Sequence, residues 1–438
     1  MPHAVDGNML VAAGILIASY VLIFTEVIHR TSAAILGAVT MVAVGMLLGF
    51  YTQEEALMAI DANTILLLTA MMMLIAMLRP TGAFEYTAVV IARFSANDPR
   101  RLLIYLSLVV SLISMVLDNV TTLIVFAPLT VLIARILQIN PMPYLMSEAI
   151  LSNVGGASTL VGDPPNIMIG SAGNISFNAF ITHMGPPIVA VWVVTVLVLL
   201  LMFRADLSPR RQDIHTQQFD LRNAVKDKGS LWRMLSALGL VVALFFSHHH
   251  LGIYPAFAAL LGLAAALLLM QPKPEVLFGE INWSVLMFFV GLFVIVGGVE
   301  ASGLLGLLGA NLAGLAAEPG KLLLTGLILM WVAAVMSAVI DNIPFTVTMI
   351  PIILGLEASG AQVAPLWWAL AIGVGLGGNS THIGATANLI AVSESERCGI
   401  RGAYISPLAW MRIGIPTTLV GLAVASAIYT VFFDFFLT

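Results

Sequence analysis

The sequence has 438 residues, of which 60% are hydrophobic and only 9% are charged, and its formal net charge is −5. A soluble domain carries about 25% charged residues, because its whole surface meets water. The composition therefore excludes a soluble protein and predicts an integral membrane protein. The small, dispersed charge forms no basic stripe for nucleic acid, and the single cysteine, Cys398, excludes an internal disulfide or a cysteine-based zinc site.

Apolar runs that approach or exceed the ~17–25 residues of a membrane span recur along the whole chain. They are Met9–Phe24, Ala33–Phe50, Leu102–Leu117, Ile188–Phe203, Trp283–Val299 and Ile413–Leu437. No Arg or Lys precedes the first run and more spans follow it, so it is expected to be a transmembrane helix or signal anchor, not a cleaved signal peptide. Glu26, His29 and Arg30, which follow it, are expected at the membrane interface.

One polar segment, Arg204–Arg233, interrupts the apolar pattern near the middle of the chain. It is rich in Lys and Arg, so the positive-inside rule predicts that it lies in the cytoplasm. We interpret it as a solvated tether between two halves. The predicted organisation is a first repeat (1–204), a linker (205–232) and a second repeat (233–438), within one membrane unit.

The two halves repeat one another in sequence. Around Asp118 the chain reads SMVLDNVTTLIVFAP, and around Asp341 it reads SAVIDNIPFTVTMIP. Further along each half, GGASTLVGDPPN (Gly155–Asn166) aligns without gaps with GGNSTHIGATAN (Gly377–Asn388). Ordered matches of this kind indicate a duplicated transporter, in which paired Gly- or Pro-interrupted membrane segments point to a binding site at the midplane.

Each half contains a helix that ends near Asp-Asn, a second helical piece, a Gly-rich block and a closing span. The Gly-rich blocks, Tyr144–Ser171 and Leu366–Ser393, hold too many Gly, Asn, Ser and Pro residues for a lipid-facing helix. Non-helical backbone is tolerated at that depth only where protein buries it or water lines it. We therefore predict an all-α polytopic membrane protein, an inverted-repeat transporter with two broken helices and two re-entrant helical hairpins. The opposed orientation of the halves follows from the repeat logic.

Asp118 and Asp341 are charges within otherwise apolar stretches, where a charged residue costs about 2.5–3.5 kcal/mol at a helix centre. Burial disfavours the charged form of a carboxyl group, which suits reversible proton binding. We predict that both residues couple transport to protons or ions. Alternatively, each Asp caps the helix that follows it, and the two roles are compatible because the cap lies at the positive end of the helix dipole.

Amide, hydroxyl and glycine groups near the breaks and hairpin tips form the predicted solute site. Glycine allows close backbone approach, while Asn, Ser and Thr exchange hydrogen bonds with a small oxyanion, a hydroxylated neutral solute or a carboxylate. The alternative role of the Gly and Ser residues is tight helix packing. The predicted substrate-binding residues are Asn119, Thr121, Thr122, Asn153, Gly155, Gly156, Ser158, Thr159, Asn166, Asn342, Gly377, Gly378, Asn379, Ser380, Thr381 and Asn388.

Other polar residues are assigned less directly. Asp163 aligns with Ala385, and it is either a proton or ion site of the first half or a turn residue before two prolines. Glu148 and His382 flank or enter the hairpins and are weaker candidates for the same site. The run His248–His250 is expected at the interface, because adjacent histidines on a helix point in different directions and no acidic or cysteine cluster is near. No metal and no cofactor is expected.

These motifs resemble the arsenite permease (ArsB), NhaD and melanosomal P-protein branch of the ion transporter superfamily, which also contains citrate and dicarboxylate carriers. The resemblance is carried by EVIHRTSAAILGA (Glu26–Ala38), LDNVTT (Leu117–Thr122), NVGGASTLVGDPPN (Asn153–Asn166), IDNIPFTVTMIP (Ile340–Pro351) and LGGNSTHIGATAN (Leu376–Asn388). It implies about ten or eleven spans plus two hairpins, with a hairpin domain that moves against a scaffold. Several relatives are homodimers, so a homodimer is a candidate assembly.

By resemblance, the chain is a secondary active transporter of the bacterial inner (plasma) membrane and not an enzyme. The first hypothesis is arsenite or antimonite efflux coupled to proton antiport. Trivalent arsenite is a neutral trihydroxide near pH 7, and with Cys398 alone it would be held by hydrogen bonds, with Asp118 or Asp341 carrying protons. The alternatives are a Na⁺/H⁺ antiporter and a carboxylate or anion carrier of the same fold. The few basic residues in the predicted site count against a highly charged anion such as citrate.

Overall fold

The computed structural model describes residues 6–25, 27–95, 98–207, 225, 227–305, 307, 321–339 and 342–437. These residues are helical and include no strand, as predicted. The helices of the first half are α1 (Gly7–Thr25), α2 (Arg30–Leu48), α3 (Gln53–Met58), α4 (Ala62–Leu78), α5 (Ala83–Phe94), α6 (Pro99–Ser114), α7 (Asn119–Leu137), α8 (Met142–Gly156), α9 (Pro164–Ala172) and α10 (Phe177–Met202).

The second half is built in the same way. Its described helices are α11 (Lys228–Leu251), α12 (Pro255–Met270), α13 (Pro274–Gly279), α14 (Trp283–Ala301), α15 (Leu322–Val339), α16 (Asn342–Ala358), α17 (Ala364–Gly377), α18 (Thr386–Arg397) and α19 (Pro407–Val431). Short 3₁₀ turns lie at Arg79–Thr81, Gly378–Ser380 and Phe433–Leu437.

Many of these helices are suited to a membrane. Eight described helices are long and apolar enough to cross one, and they are α2, α4 with its 3₁₀ extension, α7, α10, α11, α14, α15 and α19. Three shorter apolar helices, α1, α12 and α16, add to them. The structure therefore agrees with the predicted polytopic fold.

The order of the helices repeats in the two halves. In each half two spans are followed by a six-residue helix, a further span, a helix that leads toward the Asp-Asn position, a second helix and two hairpin helices. The first half has the additional helix α5 before α6, and the corresponding residues 308–320 and the residues 340–341 of the second half lie outside the described residues. A long helix of 26 residues (α10) or 25 residues (α19) closes the half. The predicted linker 205–232 includes residues 208–224 and 226, which lie outside the described residues, so the boundaries of the two repeats stay predictions.

The halves interleave in space. Helix α2 of the first half packs against α14 of the second, and α4 packs against α12. The short arms of the hairpins also cross over, since α9 packs against α16 and α18 packs against α7. Each broken helix therefore meets the hairpin of the opposite half, so the polar groups of both halves are brought together.

The first hairpin, α8 and α9, is enclosed over nearly its whole length, because every residue from Pro143 to Gly170 is buried. Its arms have 15 and nine residues. At 1.5 Å per residue they reach only ~22 and ~14 Å, short of the ~30 Å hydrocarbon core. The second hairpin, α17 and α18, has the same form, but Ile383 at its tip is 45% exposed. The predicted hairpins are confirmed, and they differ in how far their tips are covered.

Candidate functional site

The first helix break places Asp118 at the N-cap of α7. Helix α6 ends at Ser114, and the Asp118 carboxylate accepts hydrogen bonds from the Thr121 backbone N–H (2.8 Å) and the Thr121 hydroxyl (2.6 Å). The Thr122 hydroxyl donates to the Asp118 carbonyl oxygen at 2.9 Å. Asp118 therefore caps α7, in the alternative role predicted for it, and both threonine hydroxyls stabilise the break. The coupling role of Asp118 stays a prediction.

Each hairpin tip is closed by its own asparagine. Asn166 Nδ2 donates to the carbonyl oxygens of Gly156 (3.1 Å) and Thr159 (2.9 Å). Asn388 makes the matching pair of hydrogen bonds in the second hairpin, at 2.8 and 2.9 Å. The Thr159 hydroxyl donates to the Met115 carbonyl oxygen at 2.5 Å and so attaches the tip to the end of α6. These groups build the tips.

The paired glycines let the arms of each hairpin touch at the tip. A Cβ atom on Gly156 would lie 2.4 Å from the carbonyl oxygen of Gly162, and a Cβ atom on Gly378 would lie 2.6 Å from the carbonyl oxygen of Gly384. Gly155 and Gly377 are packed as tightly against the backbones of α6 and α15. No side chain fits at these positions, so the packing role considered for these glycines is present.

Five asparagines and one aspartate from both halves form a hydrogen-bonded group, which we call the amide cluster. Its members, none of them more than 5% exposed, are Asn119, Asn153, Asp163, Asn342, Asn379 and Asn388. Asn153 Oδ1 accepts from Asn119 (2.9 Å), and Asn153 Nδ2 donates to Asn379 Oδ1 (2.8 Å) and Asn388 Oδ1 (3.0 Å). Asn153 therefore joins the first hairpin to the tip and the short arm of the second.

Asp163 supplies the carboxylate of the amide cluster. Asn342 Nδ2 donates to both of its oxygens, at 3.4 and 3.2 Å, and Asn119 Nδ2 donates to Oδ1 at 3.4 Å. Although Asp163 precedes α9, its side chain makes no cap hydrogen bond. The structure thus places Asp163 among the polar side chains, and its coupling role stays a prediction. Asp341, the other predicted coupling residue, lies outside the described residues.

Two amide oxygens near the cluster are left without donors. Asn119 Oδ1 and Asn166 Oδ1 are buried and have no hydrogen-bond partner. The amide orientations follow from the partners, because a carboxylate and backbone carbonyl oxygens only accept and therefore require the NH₂ group. Buried acceptors of this kind suit a hydrogen-bond donor, which can be an ordered water, a hydroxylated solute or a cation.

The other predicted binding residues lie around the amide cluster, and their side chains do not join its hydrogen bonds, although the Gly378 and Thr381 carbonyl oxygens accept from Asn388. These residues are Thr121, Thr122, Gly155, Gly156, Ser158, Thr159, Asn166, Gly377, Gly378, Ser380 and Thr381. The Ser158 hydroxyl donates to the Gly155 carbonyl oxygen at 2.6 Å, and the Thr381 hydroxyl donates to the Ala338 carbonyl oxygen at 2.5 Å. These hydroxyl groups thus stabilise the backbone of the hairpin tips, and the glycines allow the backbones to approach one another closely.

A cavity of about 110 Å³ adjoins the first break. Asp118 and Thr121 line one side, and Pro164 and Thr386, at the starts of α9 and α18, also line it. Residues of both hairpins and of the first broken helix therefore border one space.

Two arginines that the sequence analysis did not assign to the site line this cavity. Arg30, expected at the interface, and Arg79 line the same cavity as Asp118. Arg30 Nη1 donates to Thr386 Oγ1 at 3.1 Å, and its guanidinium carbon lies 5.6 Å from the centre of the Phe288 ring. The available signal was the position of Arg30 within EVIHRTSAAILGA, one of the stretches that carry the family resemblance.

The histidine run divides into two environments. His249 and His250 are exposed, whereas His248 is buried and accepts a hydrogen bond at Nε2 from the Phe177 backbone N–H at 3.0 Å. His248 therefore joins the end of α11 to the start of α10. In the part of the chain that the structure describes, no three His, Cys, Asp or Glu side chains come together as a metal site.

The fold and the site define the class of protein. Repeated membrane helices that enclose two short hairpins, with polar side chains of both halves meeting between them, are the architecture of a secondary transporter. The profile of the CitMHS family, described as citrate transporter, matches residues 20–373. The chain belongs to this family, and the resemblance to the ion transporter superfamily is confirmed.

Relatives along the full length support this assignment. An uncharacterized transporter of Mycobacterium tuberculosis is 37% identical over 427 residues, which cover 96% of this chain and 97% of the relative. The human P protein is 30% identical over 503 aligned residues, which cover 96% of this chain and 59% of that protein. The chain is thus an integral membrane protein that transports a small solute, and its mycobacterial relatives agree with the predicted bacterial plasma membrane.

The fold is also found in a solved structure. The YdaH transporter of Alcanivorax borkumensis matches 98% of this chain and 99% of its own, with a TM-score of 0.57 and 13% sequence identity. At this level of identity the similarity concerns the fold alone.

Proposed function

We propose that this transporter exports arsenite or antimonite in exchange for protons. The observation that carries the proposal is the amide cluster, whose polar groups are five amides and one carboxylate from both halves. A neutral trihydroxide donates three hydroxyl protons and accepts at three oxygens, so uncharged amides match it group for group. A neutral solute also loses less hydration on burial than an ion does.

The open acceptors supply hydrogen-bond partners for this solute. Asn119 Oδ1 has no donor, and it belongs to a side chain whose NH₂ group is held by Asn153 and Asp163. A hydroxyl group that enters between the hairpins would satisfy this oxygen. It would also replace the hydrogen bonds from Asn153 to Asn379 and Asn388, which join the two tips directly. Binding would therefore exchange contacts between the hairpins for contacts with the solute.

Proton exchange requires a group that alternates between charged and neutral forms. Asp163, 2% exposed and within the amide cluster, and Asp118, 6% exposed and at the first break, are two buried carboxyl groups, and Asp341 is the third candidate. Asp163 receives amide N–H groups from Asn119 and Asn342, which belong to different halves. A change in its charge would alter both contacts together, which links protonation to the fit of the two halves.

A Na⁺/H⁺ antiporter is the second candidate, and one observation favours it. A hard cation prefers oxygen ligands, and the Asp163 carboxylate lies beside Asn119, whose Oδ1 atom has no partner. A carboxylate or anion carrier is the third candidate. It is favoured by Arg30 in the cavity and by the description of the family as citrate transporters, whereas Arg79 in the same cavity is paired with Glu280 at 3.9 Å.

Transport by purified protein separates these candidates. Proteoliposomes that contain a pH-sensitive dye are challenged in turn with arsenite, Na⁺ and citrate, and arsenic uptake is measured in parallel. We expect arsenite to move protons in the opposite direction, with no response in protein-free liposomes. Proton movement with Na⁺ but none with arsenite would refute the first candidate in favour of the second. A response to citrate alone would favour the third.

A further inference from the structure

The hairpin arm α8 carries a carboxyl group that lies away from the amide cluster. Glu148 is 0% exposed and sits between Tyr144 and Asn153 on the same helix. At 1.5 Å per residue it is about 7.5 Å along the axis from Asn153. Its position on a hairpin arm, within the domain that the family resemblance implies moves against a scaffold, makes its charge state relevant to transport.

The hydrogen bonds of Glu148 do not support a negative charge. Oε1 accepts from the Thr130 hydroxyl at 2.5 Å, and Oε2 is buried without any partner. An ionised carboxylate has about four acceptor sites to fill, whereas a neutral acid has fewer and places its own proton on one oxygen. A buried carboxylate without a counter-ion is so unfavourable that the group takes up a proton instead.

Charged groups on the helices packed against α8 are engaged elsewhere. Arg135 on α7 donates through Nη2 to the Cys398 carbonyl oxygen at 2.6 Å, and His183 on α10 stacks on Trp368 with ring centres 4.6 Å apart. The other titratable side chains described on these helices are exposed or half exposed, and they are Arg100, Arg101, Tyr105, Glu394, Glu396 and Arg397. None of the described ion pairs includes Glu148.

The contact also joins two functional elements. Thr130 belongs to α7, which begins at Asn119, and Glu148 belongs to α8, which carries Asn153. Asn119 and Asn153 are themselves hydrogen-bonded at 2.9 Å. The charge of Glu148 therefore acts on the same helix pair that positions the amide cluster.

We propose that Glu148 is a proton-binding site of the transporter. It is neutral while the first hairpin is enclosed, and it releases its proton when movement of α8 against α7 admits water to Oε2. Release breaks the O–H bond, passes the proton to water and leaves the carboxylate solvated, with the Thr130 hydroxyl still donating to it. This inference rests on the proposed proton exchange and assigns one of its carriers to a residue outside the amide cluster.

The first test is spectroscopic and needs no transported solute. Infrared spectra of the wild type and Glu148→Gln in lipid at neutral pH are compared in H₂O and D₂O. We expect the wild type to show a carbonyl band of a neutral carboxylic acid, shifted in D₂O and absent from Glu148→Gln. Glu357→Gln, which changes an exposed carboxyl at the end of α16, should keep the band. Equal spectra for the wild type and Glu148→Gln would overturn the proposal.

The second test measures coupling, with arsenite as the probe, or ²²Na⁺ if the dye assay selects Na⁺. Glu148→Gln should retain solute exchange at equal pH on both sides. Its transport rate under a pH gradient should fall at least tenfold. An unchanged gradient-driven rate would contradict a carrier role. Thr130→Val, which removes the donor to the ionised form, should shift the pH of half-maximal gradient-driven transport to a more alkaline value. An unchanged pH profile in Thr130→Val would also contradict the carrier role of Glu148.

The two proposals fail in distinguishable ways. If the wild type moves no protons with any of the three solutes, proton exchange is wrong, and with it the carrier role of Glu148. The infrared band then still decides whether Glu148 binds a proton in the enclosed hairpin. If the wild type moves protons and Glu148→Gln does so equally well, only the assignment to Glu148 is wrong.

Discussion

Replacing Asn153 by alanine removes the side chain that ties the first hairpin to the second. Asn379 Oδ1 and Asn388 Oδ1 would lose the donor described for them, and Asn119 would keep only its 3.4 Å contact with Asp163. A buried polar group without a partner costs about 1–3 kcal/mol, although polar groups in membrane proteins often find substitutes and average nearer 0.6 kcal/mol per interaction. We expect a loss of about 2–3 kcal/mol in the free energy of unfolding.

The assay is equilibrium unfolding of purified protein in mixed micelles with increasing denaturing detergent. Asn178→Ala is the matched control, because Asn178 donates one hydrogen bond, at 2.9 Å, to the Phe246 carbonyl oxygen outside the cluster. A single bond of this kind contributes about 0.5–1.5 kcal/mol. If Asn153→Ala is no less stable than Asn178→Ala, the amide cluster does not hold the hairpins together and the reasoning is refuted. Solute binding should also weaken in Asn153→Ala alone.

Three further predictions concern the carboxylate, the glycine contacts and the cavity. Asp163→Asn should retain solute exchange at equal pH while its stimulation by a pH gradient falls at least tenfold; full stimulation would remove Asp163 from the proton path. Gly156→Ala should lower the free energy of unfolding by about 1–3 kcal/mol, because its Cβ would lie 2.4 Å from a carbonyl oxygen. Gly14→Ala, with nothing within 4 Å of the new Cβ, should be neutral or stabilising in the same detergent titration, and equal losses would contradict the packing argument. Arg30→Gln should leave the KM for neutral arsenite within about threefold, whereas a tenfold rise, about 1.4 kcal/mol, would indicate an anionic solute.

The position of the site follows from the way the halves interleave. Helix α9 packs against α16 and α18 packs against α7, so each hairpin supports the broken helix of the other half. A solute bound between the tips would contact both halves at once. Small movements of either hairpin would therefore change the whole amide cluster, which is the property that coupled transport requires.

Several members of the amide cluster do not match between the two halves, so the sequence repeat does not identify the cluster as a group. In the repeat alignment Asn153 corresponds to Gly375, and Asn379 corresponds to Ala157. The strongest contact between the hairpins, Asn153 Nδ2 to Asn379 Oδ1 at 2.8 Å, thus joins two positions that the repeat does not conserve between halves. Asp163, opposite Ala385, is a third such position. Positions that match between the halves build the scaffold, whereas these three positions, which differ between the halves, form contacts within the amide cluster.

The sequence by itself determined the membrane class, the helix break at Asp118, the hairpins and the paired Gly-Gly and Asn positions at their tips. These features are local, because Gly, Pro, Asn and Asp act on the backbone within a few residues of their own position. The cap at Asp118 illustrates the limit: Asp118 was identified correctly as a polar residue at a break, but whether its carboxylate binds Thr121 or a solute depends on its surroundings.

Only the tertiary structure decided which amides meet and which hydroxyls are engaged by the backbone. Asn153 and Asn379 are 226 positions apart, and Arg30 contacts Thr386 across 356 positions. No local pattern encodes such distances, because they depend on how α7, α8 and the second hairpin pack together. The same packing encloses Glu148 and leaves one of its oxygens without a partner, so a residue with a weak signal in the sequence becomes a defined proton-binding candidate in the fold.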